Sequence, residues 1–463
     1  MPIILITFSY FTGFAGLLSF LNYLLSRYYD MNTHSSIFIV TGIIMLSLSI
    51  GLILSFKDSK VKLSPSNNLI SIVVIWFFMP LVLMIPIYML LDISMISSYF
   101  EAVSMLTTTG YSAFIDNKNM PISLILWYSI LQWYGGFITI LFAVSVINFY
   151  QEASVINTTY RRIADIKNIK LLHIIRRVIY LYASLTLVCF ITLLTLGLSS
   201  FESIILALSS ISTGGFIGHN ILIIDNMVLL ALSVFMIVGM INLYYTRELR
   251  LSNCICIVTH KYALFMYALF IIINYFDNQQ YISLTDKIIK NAFSYISLIT
   301  TTGYDVKNIN SNSIPIIVML TLVLIGGFYG STSGGIKIDR LMEMIKLSFR
   351  ELNLLIRPNL VYGEAVERDS KIASLYWAYF FIYIISFSII TLIISINDIS
   401  FEQSFMLAAA TITNSGNIIL NNLDTNLLSQ IDDRYKIFLS FSMILGRLEI
   451  LALIGCLMAI VKK

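Results

Sequence analysis

The sequence SLITTTGY, at Ser297–Tyr304, closes a short apolar segment with three threonines and a single glycine. Its last five residues occur again almost two hundred positions earlier, in SMLTTTGY at Ser104–Tyr111. Two weaker copies, SSISTGGF at Ser209–Phe216 and ATITNSGN at Ala410–Asn417, keep the glycine in register. Four copies of one short turn predict four repeats arranged around one axis.

The amino-acid composition indicates that these repeats lie in a membrane. Hydrophobic residues make up 58% of the 463 residues, charged residues only 12%, and the mean hydropathy is +0.86. No ordinary soluble domain has this balance. Apolar runs recur at the length of about twenty residues that a helix needs to cross a bilayer. The chain is therefore predicted to be an all-α polytopic membrane protein with ten spanning helices and four short re-entrant ones.

The predicted organisation follows the turns. Two apolar runs, Ile3–Leu25 and Ser36–Phe56, precede the first turn and stand outside the repeat. Each repeat is expected to contain a spanning helix, a short pore helix that enters and returns on one side, the turn, and a second spanning helix. The predicted divisions are 1–62 for the two extra leading helices, then 63–160, 161–255, 256–365 and 366–463 for the four pore repeats.

The starts of the pore helices are predicted from capping patterns. Ser98 precedes Glu101 by three residues, and Ser400 precedes Gln403 by the same spacing, so both pairs match capping boxes. Phe-Glu pairs in the first, second and fourth repeats suggest that these three helices begin alike. The third helix is predicted to start near Asp286, because an acidic residue suits the positive end of a helix dipole.

Charge predicts the orientation in the membrane. Most of the 29 Lys and Arg residues fall in the segments 57–62, 161–177, 247–261, 337–371 and the last two residues. The positive-inside rule places these segments and both termini in the cytoplasm, and the turns toward the outside. Acidic residues next to the turns predict a negative outer mouth that concentrates cations, although each one alone could be a solvated loop acid: Asp116, Asp225, Asp305, Asp424, Asp432 and Asp433.

The chemistry of the turns favours a monovalent cation. A polar turn at membrane depth must be buried in protein or line water. Rings of carbonyl oxygens replace the hydration shell of such an ion, and the turns carry no carboxylate that a divalent cation would prefer. One turn alone is equally a helix C-cap, but four matched copies favour a filter. The predicted filter residues are Thr108, Thr109, Gly110, Thr213, Gly214, Gly215, Thr301, Thr302, Gly303, Asn414, Ser415 and Gly416.

A second glycine-rich stretch, GGFYGSTSGGIK, lies at Gly326–Lys337 inside the second span of the third repeat. Five glycines and three hydroxyl residues cannot form a stable helix interior, so a broken helix is predicted between two helical flanks. Such breaks are typical of transport pathways, although small residues also allow close helix packing. The predicted gate residues here are Gly326, Gly327, Gly330, Ser331, Thr332, Ser333, Gly334, Gly335 and Lys337.

Taken together, these motifs resemble the bacterial Trk/Ktr potassium-transporter superfamily, most closely its TrkH-like branch. The resemblance covers the whole chain and rests on the four turns, the glycine-rich stretch, QWYGG at 132–136 and GRLEI at 446–450. It implies K⁺ uptake across the bacterial inner membrane, with K⁺ as the transported ion and no bound cofactor. It also implies a homodimer and a cytosolic, TrkA-like nucleotide-binding regulatory subunit. No catalytic residue and no nucleic-acid partner are expected.

Arg447 and two departures from the family pattern complete the predictions. An arginine within a span is costly, and the resemblance suggests that Arg447 reaches the loop around Gly330–Gly335 as a positive barrier. Asn417 stands where the family often has proline, and Gly214 replaces a threonine. These departures leave open a Na⁺-permeable or Na⁺-coupled relative. A polytopic membrane enzyme is the third alternative, although it leaves the repeated turns unexplained.

Overall fold

A computed structural model describes eleven stretches of the chain: residues 2–29, 35–57, 65–114, 120–152, 171–218, 225–241, 283–304, 315–357, 364–396, 399–416 and 431–448. Every regular element in these stretches is an α-helix. The first eight are α1 (Pro2–Tyr28), α2 (Ser35–Ser55), α3 (Pro65–Leu83), α4 (Ile85–Leu91), α5 (Met95–Leu106), α6 (Ile122–Glu152), α7 (Leu171–Thr195) and α8 (Ser200–Ser212). The others are α9 (Asn226–Met240), α10 (Leu284–Ile299), α11 (Ile316–Ile325), α12 (Ile338–Ile356), α13 (Glu364–Ser395), α14 (Phe401–Thr413) and α15 (Asp433–Leu448).

Membrane-length helices dominate the described residues. Six segments are long and apolar enough to cross a bilayer: Ile4–Tyr28, Ser35–Ser55, Ile70–Leu91, Ile122–Ala143, Arg176–Thr195 and Tyr376–Ser395. Helices α9, α11 and α15 are shorter in the described part of the chain, and the predicted first span of the third repeat lies outside it. The prediction of an all-α polytopic membrane protein is confirmed.

The two leading helices pack closely against each other through small residues. A Cβ added at Gly13 would lie 2.6 Å from Ser49 Oγ, and one at Gly16 would lie 3.2 Å from Gly42 O. Ser49 Oγ donates a hydrogen bond to Ser9 O at 2.7 Å. Small residues allow such close approach where lipid offers no hydrophobic drive for association.

Two features distinguish the rest of the fold from a simple bundle of spanning helices: four short helices, and a break within one spanning helix. The four predicted pore helices, α5, α8, α10 and α14, contain 12, 13, 16 and 13 residues. At about 1.5 Å per residue they are shorter than the roughly 30 Å hydrocarbon core. The break lies between α11 and α12. The helix after it, α12, begins at Ile338, because Ile336 still belongs to the buried non-helical segment.

Candidate functional site

Each of the four short helices begins at a serine N-cap. The side chains of Ser94, Ser199, Ser283 and Ser400 accept hydrogen bonds from backbone N–H groups in the first turns of α5, α8, α10 and α14. The predicted helix start at Ser400 is confirmed, but only half of the predicted capping box is present, with Gln403 N donating to Ser400 Oγ. The prediction for Ser98 is wrong, because the helix begins one turn earlier and Ser98 donates its hydroxyl to Ser94 O. At the second helix, Ser199 and Glu202 form a full capping box that the sequence analysis missed.

The early cap of α5 changes the role of Glu101. This residue lies inside the helix and is fully buried, so the Phe-Glu pair of the first repeat does not match the helix starts of the other two. Its carboxylate accepts hydrogen bonds from Ala113 N at 2.8 Å and from Tyr128 Oη at 3.0 Å. Glu101 therefore fixes the segment that follows the first turn.

All four short helices end in the same way. The residue two positions before the aligned glycine is left-handed in each turn, with φ of 57° at Thr108, 53° at Thr213, 57° at Thr301 and 52° at Asn414. These residues donate backbone hydrogen bonds to carbonyls three residues earlier, as in a Schellman C-cap. Glycine or asparagine usually occupies this position, and a β-branched threonine there is an outlier. The turns are therefore C-caps, and the three with a left-handed threonine are strained, as is typical of functional sites.

The residues after each cap turn their N–H groups back toward the helix. Gly214, Thr302 and Ser415 donate to carbonyls five residues earlier, at 2.9 to 3.1 Å. Gly110 and Gly303 donate to Ser104 O and Ser297 O. Because the N–H and C=O of a trans peptide point in opposite directions, the carbonyl preceding each of these N–H groups points away from its own helix.

Three pairs of turns are in direct contact. A Cβ added at Gly110 would lie 1.8 Å from Gly214 O, and one at Gly215 would lie 1.8 Å from Thr302 O. The fourth turn meets the first, because Gly416 N donates to Thr109 O at 2.9 Å. The first turn thus contacts the second through backbone atoms, the second contacts the third, and the fourth contacts the first. The aligned glycines of the first three turns have positive φ, whereas Gly416 of the fourth turn does not.

Gln132 explains the missing threonine of the second turn. Its Nε2 donates to Gly214 O at 2.7 Å, and a Cβ on Gly214 would lie 2.4 Å from Gln132 Cδ. The side chain of Gln132 therefore fills the space that a threonine would need. Gly135 and Gly136, one turn further along α6, allow close packing, since their added Cβ atoms would meet Leu106 O at 1.6 Å and Tyr182 Oη at 2.4 Å. The contact between Gln132 and Gly214 crosses two repeats, and no local sequence signal predicted it.

Hydroxyl groups are the main polar side chains of the turns. Thr107 Oγ1 and Thr109 Oγ1 are 2.9 Å apart, and the equivalent oxygens of Thr300 and Thr302 are 2.8 Å apart. The fourth turn is held differently, because Asn414 Nδ2 donates to Thr109 Oγ1 at 3.2 Å and to Met443 O at 2.9 Å. No group of three or more His, Cys, Asp or Glu residues with metal-ligand geometry occurs in the described residues.

The glycine-rich stretch forms a buried loop between α11 and α12, here called the intramembrane loop (Gly326–Lys337). Its two ends are tied together, because Ile336 N donates to Leu324 O at 2.9 Å and Lys337 N to Ile325 O at 3.0 Å. Gly326, Gly330 and Gly335 have positive φ, and a Cβ added at Gly326 would lie 2.1 Å from Gly334 O. This tight crossing explains why glycines cluster at the base of the loop.

The tip of the intramembrane loop is docked against the ends of three short helices. Thr332 Oγ1 lies 3.2 Å from Ile211 O in α8 and 3.0 Å from Gly239 O in α9. Gly334 N donates to Thr301 Oγ1 at 2.7 Å, and its added Cβ would lie 1.8 Å from Thr413 O. The predicted gate residues thus meet the second, third and fourth repeats directly beside the predicted filter residues.

Arg447 in α15 lies next to the intramembrane loop. It is 3% exposed, and its Nε donates to Thr139 Oγ1 of α6 at 2.9 Å. Arg447 lines a small cavity together with Thr139 and the loop residues Gly330, Ser331, Ser333, Gly335 and Lys337. The arginine therefore faces the loop across a cavity, while its hydrogen bond goes to Thr139, which the sequence analysis did not single out.

The predicted acidic outer mouth is described in part. Asp225 caps α9, accepting from Met227 N at 3.2 Å. Asp433 accepts from Ser94 Oγ at 3.2 Å, so it lies next to the cap of α5. Asp116, Asp305 and Asp424 lie outside the described residues.

Capped short helices that meet at their carboxyl ends, beside a buried break in a spanning helix, are the architecture of a polytopic membrane transport protein. The family model for TrkH, described as a cation transport protein, matches residues 34–262 and 251–461. The chain therefore belongs to the TrkH family of cation transport proteins, and its relatives are named as transporters and not as enzymes.

Individual relatives agree with this assignment. An uncharacterized cation transporter of Methanocaldococcus jannaschii is 27% identical over 350 residues, 74% of this chain and 71% of that protein. The Trk system potassium uptake protein TrkH of Escherichia coli K12 is 24% identical over 440 residues, 89% of this chain and 90% of that protein. The crystal structure of the potassium transporter TrkH from Vibrio parahaemolyticus matches with a TM-score of 0.81 at 22% identity, covering 98% of this chain and 97% of that one. The fold is therefore shared along nearly the whole chain.

Proposed function

We propose that this chain transports K⁺ across a membrane and that its four turns form the selectivity filter. The observation that carries the proposal is the direct contact between the first and second, the second and third, and the fourth and first turns, whose carbonyls point away from their own helices. Carbonyl rings of this kind replace the hydration shell of a monovalent cation. The names of the bacterial TrkH relatives support K⁺ as the substrate.

The short helices add an electrostatic argument for a cation. Each one ends at a turn, so its carboxyl end, with roughly half a negative elementary charge, faces the same region. The turns themselves contain threonine, serine, asparagine and glycine and no carboxylate. Partial negative charge without formal charge favours a monovalent ion that must also leave, over a divalent ion that would be held.

We assign the gate to the intramembrane loop and Arg447. The loop touches Thr301 and the ends of α8 and α14, so a docked loop lies against the inner side of the filter. Arg447 places a buried positive charge beside it. A positive charge in a narrow path repels a cation, so opening would require the loop or the arginine to move.

The family and the charge distribution also suggest the membrane, the orientation and the partners of the transporter. We propose the bacterial inner membrane, with both termini in the cytoplasm, because Lys and Arg concentrate in the segments on that side. We further propose that the chain forms a homodimer and that a cytosolic TrkA-like nucleotide-binding subunit regulates it. The division into repeats at 63–160, 161–255, 256–365 and 366–463 is part of this proposal.

One observation favours a Na⁺-permeable relative as the second candidate. The fourth turn departs from the other three, because Gly416 lacks the positive φ and the side chain of Asn414 holds the corner. An unequal corner alters the spacing of the carbonyls at one quarter of the ring. Lower discrimination between K⁺ and Na⁺ is the expected consequence.

Flux into liposomes that contain the purified protein tests the proposal. We would compare K⁺, Rb⁺, Na⁺ and Li⁺ in the wild type, in Gly303→Ser and in the control Gly51→Ser. Gly303 has a φ of 73° in the third turn, whereas an added Cβ on Gly51 has no neighbour within 4 Å. K⁺ and Rb⁺ flux well above Na⁺ and Li⁺, lost only in Gly303→Ser, is the expected result.

Other results have defined meanings. Equal flux of K⁺ and Na⁺ in the wild type would favour the Na⁺-permeable alternative. Flux of no cation, even in Arg447→Ala, would contradict the pore assignment. Arg447→Ala is itself expected to raise basal K⁺ flux, and unchanged basal flux in that variant would remove Arg447 from the gate.

A further inference from the structure

The side chain of Gln132 lies where the first and second turns meet. Gln132 is fully buried in α6, and its Nε2 donates a hydrogen bond to Gly214 O of the second turn at 2.7 Å. The same nitrogen would lie 2.9 Å from a Cβ added at Gly110 of the first turn, and it lies 3.9 Å from Met105 Sδ of α5. A single amide group therefore lies next to both turns.

The partner of this amide determines its orientation. A backbone carbonyl such as Gly214 O can only accept a hydrogen bond, so the group that faces it is the N–H side of the Gln132 amide and not the amide oxygen. The bond joins α6 to the second turn across 82 positions in the chain. The second turn therefore receives a donor from a spanning helix of the first repeat.

Helix α6 holds Gln132 in a fixed position. Three aromatic residues of α6 close to Gln132 donate side-chain hydrogen bonds to three other helices. These bonds run from Tyr128 to Glu101 of α5 at 3.0 Å, from Trp133 to Thr186 of α7 at 3.1 Å, and from Tyr134 to Phe11 of α1 at 2.9 Å. A side chain on a helix that is anchored on several sides is preorganised, so its N–H keeps its direction.

The hydrogen bond from Gln132 changes how strongly Gly214 O attracts a cation. Gly214 O aligns with the carbonyls that precede the glycine in the other three turns. A carbonyl oxygen has two lone pairs, so it can accept one N–H and still coordinate an ion. The N–H brings partial positive charge to the oxygen and weakens its field. Because the field strength of the carbonyls is one determinant of K⁺ over Na⁺ selection, a weaker field favours K⁺, which is easier to dehydrate.

We propose that Gln132 is a specificity-determining residue of the filter, whose amide N–H weakens the field of Gly214 O and so favours K⁺ over Na⁺. Gln132 acts through this carbonyl, so it is a positioning residue and not an ion ligand. A Cβ on Gly214 would lie 2.4 Å from Gln132 Cδ, so the glycine at this position is what admits the amide. The inference rests on the proposed function of the four turns.

Two substitutions separate the N–H of Gln132 from its volume. Gln132→Met keeps an unbranched side chain but removes the donor, whereas Gln132→Ala removes both the donor and the volume. We expect the K⁺/Na⁺ flux ratio in liposomes to fall about fivefold in both variants, the factor that corresponds to one neutral hydrogen bond. A wild-type ratio in Gln132→Met, with a lower ratio in Gln132→Ala, would show that Gln132 only fills space and would overturn the proposal.

Gln403→Met is the matched control for the chemical change. Gln403 lies in the first turn of α14, at the opposite end of that helix from the fourth turn, and its backbone N–H is the group that bonds to Ser400. We expect this variant to keep the wild-type flux ratio. If Gln132→Met does not fold, Gln132→Leu takes its place, because leucine has a similar volume and also lacks a donor.

Thermal stability measures the same preference without transport. A ligand that binds only the native state raises the Tm, so we expect KCl to raise the Tm of the purified wild type above its value in NaCl of the same concentration. This difference in Tm should become smaller in Gln132→Met and stay unchanged in Gln403→Met. A difference of wild-type size in Gln132→Met would overturn the proposal.

Failure of this proposal is distinguishable from failure of the proposed function. Wild-type protein that carries no cation at all would contradict the function proposed for the turns. Wild-type flux that prefers K⁺, with the same ratio in Gln132→Met, would overturn the role of Gln132 alone. Equal K⁺ and Na⁺ flux in the wild type would also overturn that role, because the N–H would then confer no preference.

Discussion

The four turns and the intramembrane loop are both buried, non-helical segments. Their hydrogen bonds differ in partner, because those of the turns go to the preceding helix and those of the loop go to other elements. In the turns, Gly110, Thr302 and Ser415 donate to carbonyls of their own short helices. In the loop, Phe328, Thr332 and Gly334 donate to other elements of the protein. A segment whose bonds are local keeps its shape when neighbours move, whereas one that depends on neighbours is suited to release. This difference is what the proposed filter and the proposed gate require, namely turns that keep their shape and a loop that can move.

The largest expected effect comes from Gly215→Ala in the second turn. Gly215 has a φ of 71°, and its added Cβ would lie 1.8 Å from Thr302 O, so that carbonyl must move. We expect the K⁺/Na⁺ flux ratio in liposomes to fall at least about tenfold, which corresponds to about 1.4 kcal/mol of lost discrimination.

Gly197→Ala is the matched control for this variant. Gly197 shares the left-handed backbone, with a φ of 92°, but an added Cβ has no neighbour within 4 Å. It therefore carries the backbone strain without the collision. Equal loss of selectivity in both variants would show that general destabilisation, and not the displaced carbonyl, is responsible.

Gly334→Ala places the same collision in the loop. Its added Cβ would lie 1.8 Å from Thr413 O, and Gly334 has no positive φ. Because the loop is held by bonds to its neighbours, we expect the loop to undock and the turn to keep its shape. Basal K⁺ flux should rise about tenfold, equivalent to about 1.4 kcal/mol, with the cation order unchanged. Gly51→Ala is the control, and a loss of selectivity in Gly334→Ala would show that turn and loop move as one body.

The comparison also shows what sequence reasoning can reach. The turns were found because a Schellman cap is a local structure, determined by residues within one helix end and its next few positions. The loop was found because five glycines in twelve residues are incompatible with a helix. The N-cap of α5 was missed because Ser94 and Ser98 lie one turn apart and both residues are suitable caps, so residue type alone does not decide between them.

Contacts between repeats were beyond the sequence. Gln132 bonds to Gly214 across two repeats, and Arg447 bonds to Thr139 across 308 positions. Residue type and local spacing carry no information on such pairs, because they depend on how whole helices pack. The sequence therefore indicated which residues surround the site but not the hydrogen bonds that hold it.

Thr332→Val is expected to have a smaller effect on the gate. Valine has the shape of threonine but loses the hydroxyl that lies near Ile211 O and Gly239 O. One lost buried hydrogen bond costs about 1 kcal/mol, which predicts roughly a fivefold rise in basal flux. Thr321→Val is the control, because the exposed hydroxyl of Thr321 bonds only within its own helix, to Val318 O. Unchanged basal flux in Thr332→Val would argue that the glycines alone hold the loop.

The smallest expected effect concerns the unequal fourth corner. Asn414→Gly keeps a residue that accepts the φ of 52°, but removes the amide that bonds to Thr109 Oγ1 and Met443 O. Because Gly416 N still donates to Thr109 O, the corner should loosen without opening. We expect the K⁺/Na⁺ flux ratio to fall about two- to threefold, less than about 1 kcal/mol, with K⁺ flux retained.

Asp92→Gly controls for the backbone change, since Asp92 has a φ of 51° at the end of α4 and is exposed. Its selectivity should equal that of the wild type. If Asn414→Gly also leaves the flux ratio unchanged, the side chain of Asn414 is not what holds the fourth corner. The backbone bond from Gly416 to Thr109 of the first turn would then be sufficient to hold the corner.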